Sequence, residues 1–98
     1  MLVKIIKSYR DIVIICDKDL VGKKFNQGQL QLDIKENFFD GEEKTRPETI
    51  EIIKKMVRED ATFNIVGKES VNAALEIGII NKEGVKNVQG VPTALVLI

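Results

Sequence analysis

The segment from Gly22 to Gly28 carries the residue types in this chain that are best suited to binding a nucleic acid. Its two glycines bracket Lys23, Lys24 and Phe25, together with two amide side chains. Lysine ammonium groups can bind phosphate, and an aromatic ring can stack on an unpaired base. The structural alternative is that Phe25 covers the edge of the core, the glycines form turns and the lysines are only solvated.

A second candidate is the run Val66-Gly67-Lys68-Glu69-Ser70, where a strand is predicted to enter a helix. Free backbone amides at such a helix start point toward an anion, which favours a phosphate or carboxylate site at Gly67 and Lys68. A Walker loop would also need a glycine where the chain has Thr62, so a nucleoside-triphosphatase is excluded. Gly67 could instead be an N-cap or turn residue, and Asn64 could bond to the backbone or line a cleft.

Asp17 and Asp19 flank Lys18 directly after an apolar strand. Paired carboxylates can hold a hard cation or act as general acid and base, which would make the protein a metal-dependent enzyme. Acidic residues in an exposed turn more often only form the turn, and that is the preferred interpretation here. Cys16 precedes them without a histidine to activate it, so we expect a buried, unreactive thiol.

The acidic segment from Glu36 to Glu43 contains Phe38 and Phe39. The two rings could form a docking surface for a protein partner, although covering the core is the default use of such residues. The segment also contributes to an uneven charge distribution. Residues 1–35 have a net charge of +3, residues 36–60 have −3, and the remainder is balanced.

The composition excludes several classes of function. Fifteen basic and fifteen acidic side chains give the 98 residues a formal net charge of zero, which argues against binding nucleic acid by bulk charge alone. The absence of histidine excludes Ser-His-Asp and Cys-His catalysis. A single cysteine excludes an intramolecular disulfide and a multi-thiolate metal site within one chain. We expect a cytoplasmic protein with no membrane span, no cofactor and no resident metal.

The elements that must position these residues follow from hydrophobic periodicity. Two strands rich in β-branched residues, Leu2 to Lys7 and Ile12 to Asp17, predict a hairpin whose second strand is covered on both faces. Lys18 to Gly28 is expected to be an irregular link. Gln29 to Lys35 alternates with period two, which predicts a strand that buries three aliphatic side chains, Leu30, Leu32 and Ile34.

Helices are predicted from capping signals and apolar stripes. Thr45-Arg46-Pro47-Glu48 matches a capping box, and the helix should run to about Glu59. Its buried stripe is predicted to contain five apolar residues, Ile50, Ile52, Ile53, Met56 and Val57.

The rest of the chain completes the fold prediction. A strand from Ala61 to Val66 leads to a second helix, about Glu69 to Ile77, which Gly78 should stop. Val85 to Val88 and Val91 to Ile98 form a strand pair around Gln89-Gly90. The order β-β-β-α-β-α-β-β predicts one α+β (mixed α/β) domain over residues 1–98, with two helices on a twisted sheet of five to six strands.

The sequence as a whole resembles an archaeal family classed as a domain of unknown function, number 424. Three segments carry the resemblance: Cys16-Asp17 with Leu20, Gly22-Lys23, Phe25, Gly28, Leu30 and Leu32; Asn64-Ile65-Val66-Gly67 with Val71, Ala74 and Gly78; and Gly90-Val91-Pro92 with the last apolar strand. None of them is a catalytic signature. The resemblance implies a small archaeal cytoplasmic protein with a role in translation or RNA handling.

The leading hypothesis is a non-catalytic module that binds RNA or a ribosome-associated protein. It assigns phosphate and base contacts to Lys23, Lys24 and Phe25, and a neighbouring anion site to Asn64, Gly67 and Lys68. An interaction subunit that docks through Phe38 and Phe39 is the alternative, followed by a metal-dependent enzyme using Asp17 and Asp19. No catalytic residue is assigned.

Overall fold

The computed structural model describes residues 1–97. The chain begins with the predicted hairpin. Strands β1 (Leu2–Ile6) and β2 (Ile12–Cys16) pair antiparallel. The last four side chains of β2 are fully buried, and they alternate between the two faces of the sheet. The prediction of a central strand covered on both faces is therefore confirmed.

Four further strands join this hairpin in the main sheet: β5 (Glu42–Glu43), β6 (Thr62–Val66), β7 (Lys86–Val88) and β8 (Val91–Val96). The order of the six strands is β5-β1-β2-β6-β8-β7. The centre of the sheet is the parallel pair of β2 with β6, and every other neighbouring pair is antiparallel. The two carboxyl ends of this parallel pair therefore lie side by side, a position where α/β sheets commonly bind ligands.

The two long helices, α2 (Arg46–Arg58) and α3 (Lys68–Ile77), pack on one face of this sheet. Thr45 forms the predicted capping box, and Gly78 ends α3 with the expected left-handed conformation. The predicted buried stripe of α2 is wrong at Val57, which is exposed. Thr49 is buried instead, and its hydroxyl donates a hydrogen bond to the carbonyl of Thr45. A residue four positions before Ile53 lies on the same side of the helix, so a small threonine replaces one aliphatic contact.

The opposite face is covered by a short helix, α1 (Glu36–Phe39), and by a two-stranded ribbon of β3 (Lys24–Gln27) and β4 (Leu30–Asp33). The prediction of an irregular link over 18–28 is therefore wrong, because a 3-10 turn at Lys18–Leu20 and then β3 occupy it. Gly28 has a φ of 60° as the first residue of the two-residue connection, which suits a tight hairpin turn.

The ribbon also corrects the expected burial of β4. Leu30 lies at the ribbon's tip and is exposed, Leu32 is half-buried, and Ile34 is fully buried. The alternation is real, but a two-stranded ribbon contacts the core only near its base. The last strand pair turns at Gln89-Gly90 as predicted, and its predicted final residue, Ile98, lies outside the described residues. The α+β class is confirmed.

Candidate functional site

Asp17 follows β2, and its carboxylate caps the start of α3, which follows β6. One carboxylate oxygen accepts hydrogen bonds from the backbone N–H of Ser70 at 2.9 Å and from the Ser70 hydroxyl at 2.7 Å. The other oxygen accepts from the N–H of Glu69 at 3.1 Å. A carboxylate at a helix N-terminus satisfies amides that have no partner within the helix and interacts favourably with the helix dipole.

Gly67 makes this contact possible. Its φ is 108°, a conformation that side-chain-bearing residues rarely adopt. A β-carbon built on Gly67 would also lie only 2.5 Å from the Oδ2 atom of Asp17. The N-cap role predicted for Gly67 is confirmed, and the structure adds that the missing side chain leaves room for the carboxylate.

The amides of Glu69 and Ser70 at the start of α3, where a phosphate or carboxylate ligand was predicted, donate to a carboxylate side chain of the same protein. The interpretation of Asp17 as part of an exposed turn is wrong, because only 8% of the residue is exposed. This position follows from the strand pairing: because β2 and β6 are parallel neighbours, the residues that follow Cys16 and Val66, which are Asp17 and Gly67, lie next to each other. The sequence pattern alone does not specify that pairing.

A cleft lies beside this cap, between the ribbon and the start of α3. This ribbon cleft has a volume of about 430 Å³, and its lining includes Lys23, Phe25 and Lys68 with Asp19 and Gln89. Three of the residues assigned to RNA or anion binding therefore meet in one place, although 43 positions separate Phe25 from Lys68 in the sequence.

A second cavity continues from the ribbon cleft along α3. It has a volume of about 440 Å³ and shares Lys68 and Pro92 with the cleft. Lys82, Asn72 and Asn87 add polar groups to this helix groove, and its lining contains no acidic residue. The cleft and groove form a continuous surface that offers ammonium groups from three separate parts of the chain: Lys23, Lys68 and Lys82.

Lys24 and Asn64 lie apart from this surface. Lys24 is next to Phe25 on β3, so its side chain leaves the opposite face of the ribbon, where it stands across from Asp33. Asn64 is half-buried on β6 and lines another cavity of about 390 Å³ with Leu32, Lys86 and Leu95 among others. The structure therefore divides the six predicted binding residues among different surfaces.

The acidic segment packs against its own chain. Phe39 is buried and contacts the ring of Phe38 edge-on, with 5.1 Å between ring centroids, while 38% of Phe38 remains exposed. Asp40 forms an ion pair with Lys4 at 3.2 Å, and Glu43 forms one with Lys18 at 3.1 Å. The basic first third and the acidic second third of the sequence thus partly neutralise each other. Core cover is confirmed for Phe39.

Cys16 is fully buried, and its pKa is raised from 9.0 to about 12 by that burial and by the nearby charges of Asp17 and Asp19. Thiol reagents attack the thiolate, so we expect Cys16 in the native protein to be modified only through unfolding, even at pH 9. The check is labelling by a chromogenic disulfide reagent with and without denaturant.

The same shift predicts a pH dependence of stability. The folded protein binds the Cys16 proton more tightly than the unfolded chain does, and this difference contributes to the free energy of unfolding. The contribution is complete below pH 9 and is lost as the pH rises toward 12. Denaturant unfolding should show that the free energy of unfolding falls more between pH 8 and pH 10.5 in the native protein than in Cys16→Ala. Equal losses in both proteins would contradict the assignment.

Residues 1–97 contain no group of three or more Cys, Asp or Glu side chains arranged to hold a metal ion. None of the helices in this part of the chain has the length and apolar character that a membrane crossing requires.

Comparison with known proteins gives a family and a fold. The family model "Protein of unknown function (DUF424)" matches residues 6–98. A crystal structure of an uncharacterized conserved protein from Methanopyrus kandleri is similar, with a TM-score of 0.83 and 21% sequence identity, over 98% of this chain and 90% of that one. No curated protein matches the sequence.

Proposed function

The chain belongs to the DUF424 family of proteins of unknown function, and we propose that it is a non-catalytic module that binds RNA or ribonucleoprotein. One observation carries the proposal: Lys23 and Phe25, from the segment that forms β3, line a single cleft with Lys68, from the start of α3. Ammonium groups around an aromatic ring suit a single strand of RNA, because phosphates and an unstacked base are then bound together.

The charge distribution supports this surface. Lys4, Lys7 and Lys18 form ion pairs with acidic side chains. Within the part of the chain that the structure describes, Lys23 and Lys68 form no ion pair with a carboxylate, so their charges are available to a phosphate. A neutral protein can therefore present a local positive surface.

Asp17 and Asp19 both line the cleft. The Asp17 carboxylate accepts hydrogen bonds from the amides at the start of α3. Asp19 accepts no such bond from α3 in the described structure, and its carboxylate would repel phosphate. We therefore place the backbone of the bound strand along Lys68 and Lys82, in the groove that has no acidic lining.

Phe25 is consistent with both the RNA-binding and the structural interpretation of the segment from Gly22 to Gly28. Its ring is half-buried and packs against the core beneath the ribbon, and it also lines the cleft. A ring held in place by packing loses little side-chain entropy when a base stacks on it. Phe25→Leu should keep most of the packing and lose the stacking, so RNA binding should weaken more than stability.

The test is the double variant Lys23→Ala/Lys68→Ala, with a single-stranded RNA oligonucleotide and archaeal ribosomal subunits as probes. We expect a loss of affinity of about tenfold or more, and a slope of log affinity against log salt that is smaller by about 1.4, since two phosphate contacts are removed. Fluorescence anisotropy at several salt concentrations measures both quantities.

Lys24→Ala is the matched control, because it removes the same charge from the same segment but from the opposite face of the ribbon. It should change affinity and salt slope less than either cleft lysine does. If the native protein binds neither probe at low salt, or if the double variant binds as well as the native protein, the proposal is wrong. Binding to subunits but not to free RNA would favour a ribonucleoprotein partner.

The second candidate function is docking of a protein partner through Phe38 and the acidic segment. The exposed Phe38 ring, held against the buried Phe39, is the observation that favours it. A stoichiometric protein partner that is recovered after nuclease treatment, and that is lost with Phe38→Ser but not with Lys23→Ala, would select this function over RNA binding.

A further inference from the structure

Strand β8 has an open edge because its neighbour β7 is shorter. Residue Lys86 at the start of β7 pairs with Thr93, and β8 continues beyond this point to Val96. The carbonyl of Pro92 accepts a hydrogen bond from Gly67, so the even-numbered residues of β8 direct their backbone groups toward β6. The N–H and C=O groups of Leu95 consequently point outward, past the end of β7, and extended backbone after Val96 would give those of Leu97 the same direction.

This edge lacks the features that usually prevent strands from pairing with other chains. No charged residue occurs from Val91 to Ile98. The Leu95 and Leu97 side chains leave 63% and 77% of each residue exposed. Edge strands are normally protected by charges, prolines or covering elements, and an apolar edge without them is a template for another strand.

There is also space beside the edge. The cavity of about 390 Å³ that Asn64 lines is bordered by Gly84, Lys86 and Leu95, at the point where a longer β7 would have continued. An added strand would therefore meet an opening next to Leu95 that can accept an aliphatic side chain.

We propose that this edge binds β8 of a second copy of the chain, antiparallel, around a two-fold axis at Val96. In this register Leu95 of each copy faces Leu97 of the other, and all the outward backbone groups of both residues are paired. A register centred on Leu95 would instead place Leu97 opposite Thr93, whose backbone groups already face β7.

The second copy is the occupant that the segment itself favours. An uncharged edge has no repulsion toward an identical edge, and the same two residues, Leu95 and Leu97, supply both the outward backbone groups and the exposed side chains. The leucines of both copies lie on the ribbon side of the sheet, where they cover one another. The two six-stranded sheets become one continuous sheet, a mode of association known as β-augmentation.

Light scattering over a protein concentration series tests the association. The native protein should double its mass from 11.0 kDa as the concentration rises. Leu95→Lys places two like charges beside the two-fold axis and should raise the dimer dissociation constant about tenfold or more. Leu30→Lys, at the exposed ribbon tip, should leave it unchanged. A native protein that remains monomeric, or a dimer equally stable in Leu95→Lys, overturns the proposal.

A cysteine at the two-fold axis tests the register. In the proposed pairing the two Val96 positions form a non-hydrogen-bonded pair with about 4.5 Å between their α-carbons, within the range for a disulfide. Val96→Cys should therefore form a covalent dimer under mild oxidation, faster than Leu95→Cys, whose copies lie more than about 7 Å apart. Buried Cys16 does not compete. Equal rates of disulfide formation in the two variants would contradict pairing at Val96. So would a β8 edge that pairs only with a strand from another protein.

Discussion

Gly67→Ala is expected to destabilise the protein by about 3–5 kcal/mol, which lowers the melting temperature by more than about 10 °C. Two effects combine. Alanine at a φ of 108° is strained, and its β-carbon would overlap the Asp17 carboxylate. If the carboxylate moves away, the amides of Glu69 and Ser70 lose their acceptor. Thermal and denaturant unfolding followed by circular dichroism measure the loss.

Gly22→Ala is the matched control for the backbone effect. Gly22 also has a positive φ, 88°, but a β-carbon there would meet nothing within 4 Å. The control should cost about 1 kcal/mol, which is the strain alone. If both alanine variants lose the same stability, the contact between Gly67 and Asp17 is not what requires glycine at this position.

Asp17→Ala is expected to cost about 2–4 kcal/mol, because it removes the acceptor for two backbone amides and one hydroxyl. Ser70 is fully buried, so water does not readily replace the lost hydrogen bonds. Asp17→Asn should lose less stability than Asp17→Ala, because its one side-chain carbonyl oxygen can still accept a hydrogen bond. It should remain less stable than the native protein, because its NH₂ group faces the helix amides and cannot accept from them. Hydrogen exchange of the Glu69 and Ser70 amides should report the same order: native protein slowest, then Asn, then Ala.

Asp19→Ala is the control for charge near the cleft, since Asp19 lines the cleft and accepts no hydrogen bond from α3 in the described structure. Its stability should differ from that of the native protein by less than about 0.5 kcal/mol. Asp17→Ala with near-native stability would contradict the capping role. A divalent cation that raises the melting temperature of the native protein but not of Asp17→Asn would support the metal-site alternative instead.

Local signals in the sequence were sufficient for the elements whose structure depends on neighbouring residues. The capping box at Thr45 and the left-handed stop at Gly78 arise from residues within a few positions of each other, and the β1–β2 hairpin joins two strands that are consecutive in the chain. The alternation that predicts a strand is absent at β3, because Lys24–Gln27 has one apolar residue among four. Gly28 is a local signal for the turn, but the strand conformation of β3 depends on pairing with β4 and on packing over the sheet.

The candidate site was only partly predictable for a similar reason. Lys23, Phe25 and Lys68 belong to two separate segments of the sequence, and the structure brings them into one cleft. Lys24 is adjacent to Lys23 in the sequence, but strand alternation directs its side chain to the other face of the ribbon. The role of Asp17 depends on β2 and β6 being parallel neighbours, and a sequence pattern does not specify which strands pair.

The central parallel pair also has a consequence for how fast the protein folds. Ile12 on β2 pairs with Thr62 on β6, and all the chain between them forms the ribbon, α1, β5 and α2. The entropy of closing that long loop must be overcome before the β2–β6 contacts can form, whereas the β1–β2 hairpin and the helices need only local contacts. We therefore expect the joining of β6 to β2 to be the slow event in folding, and the Asp17 cap on α3 to form only after it.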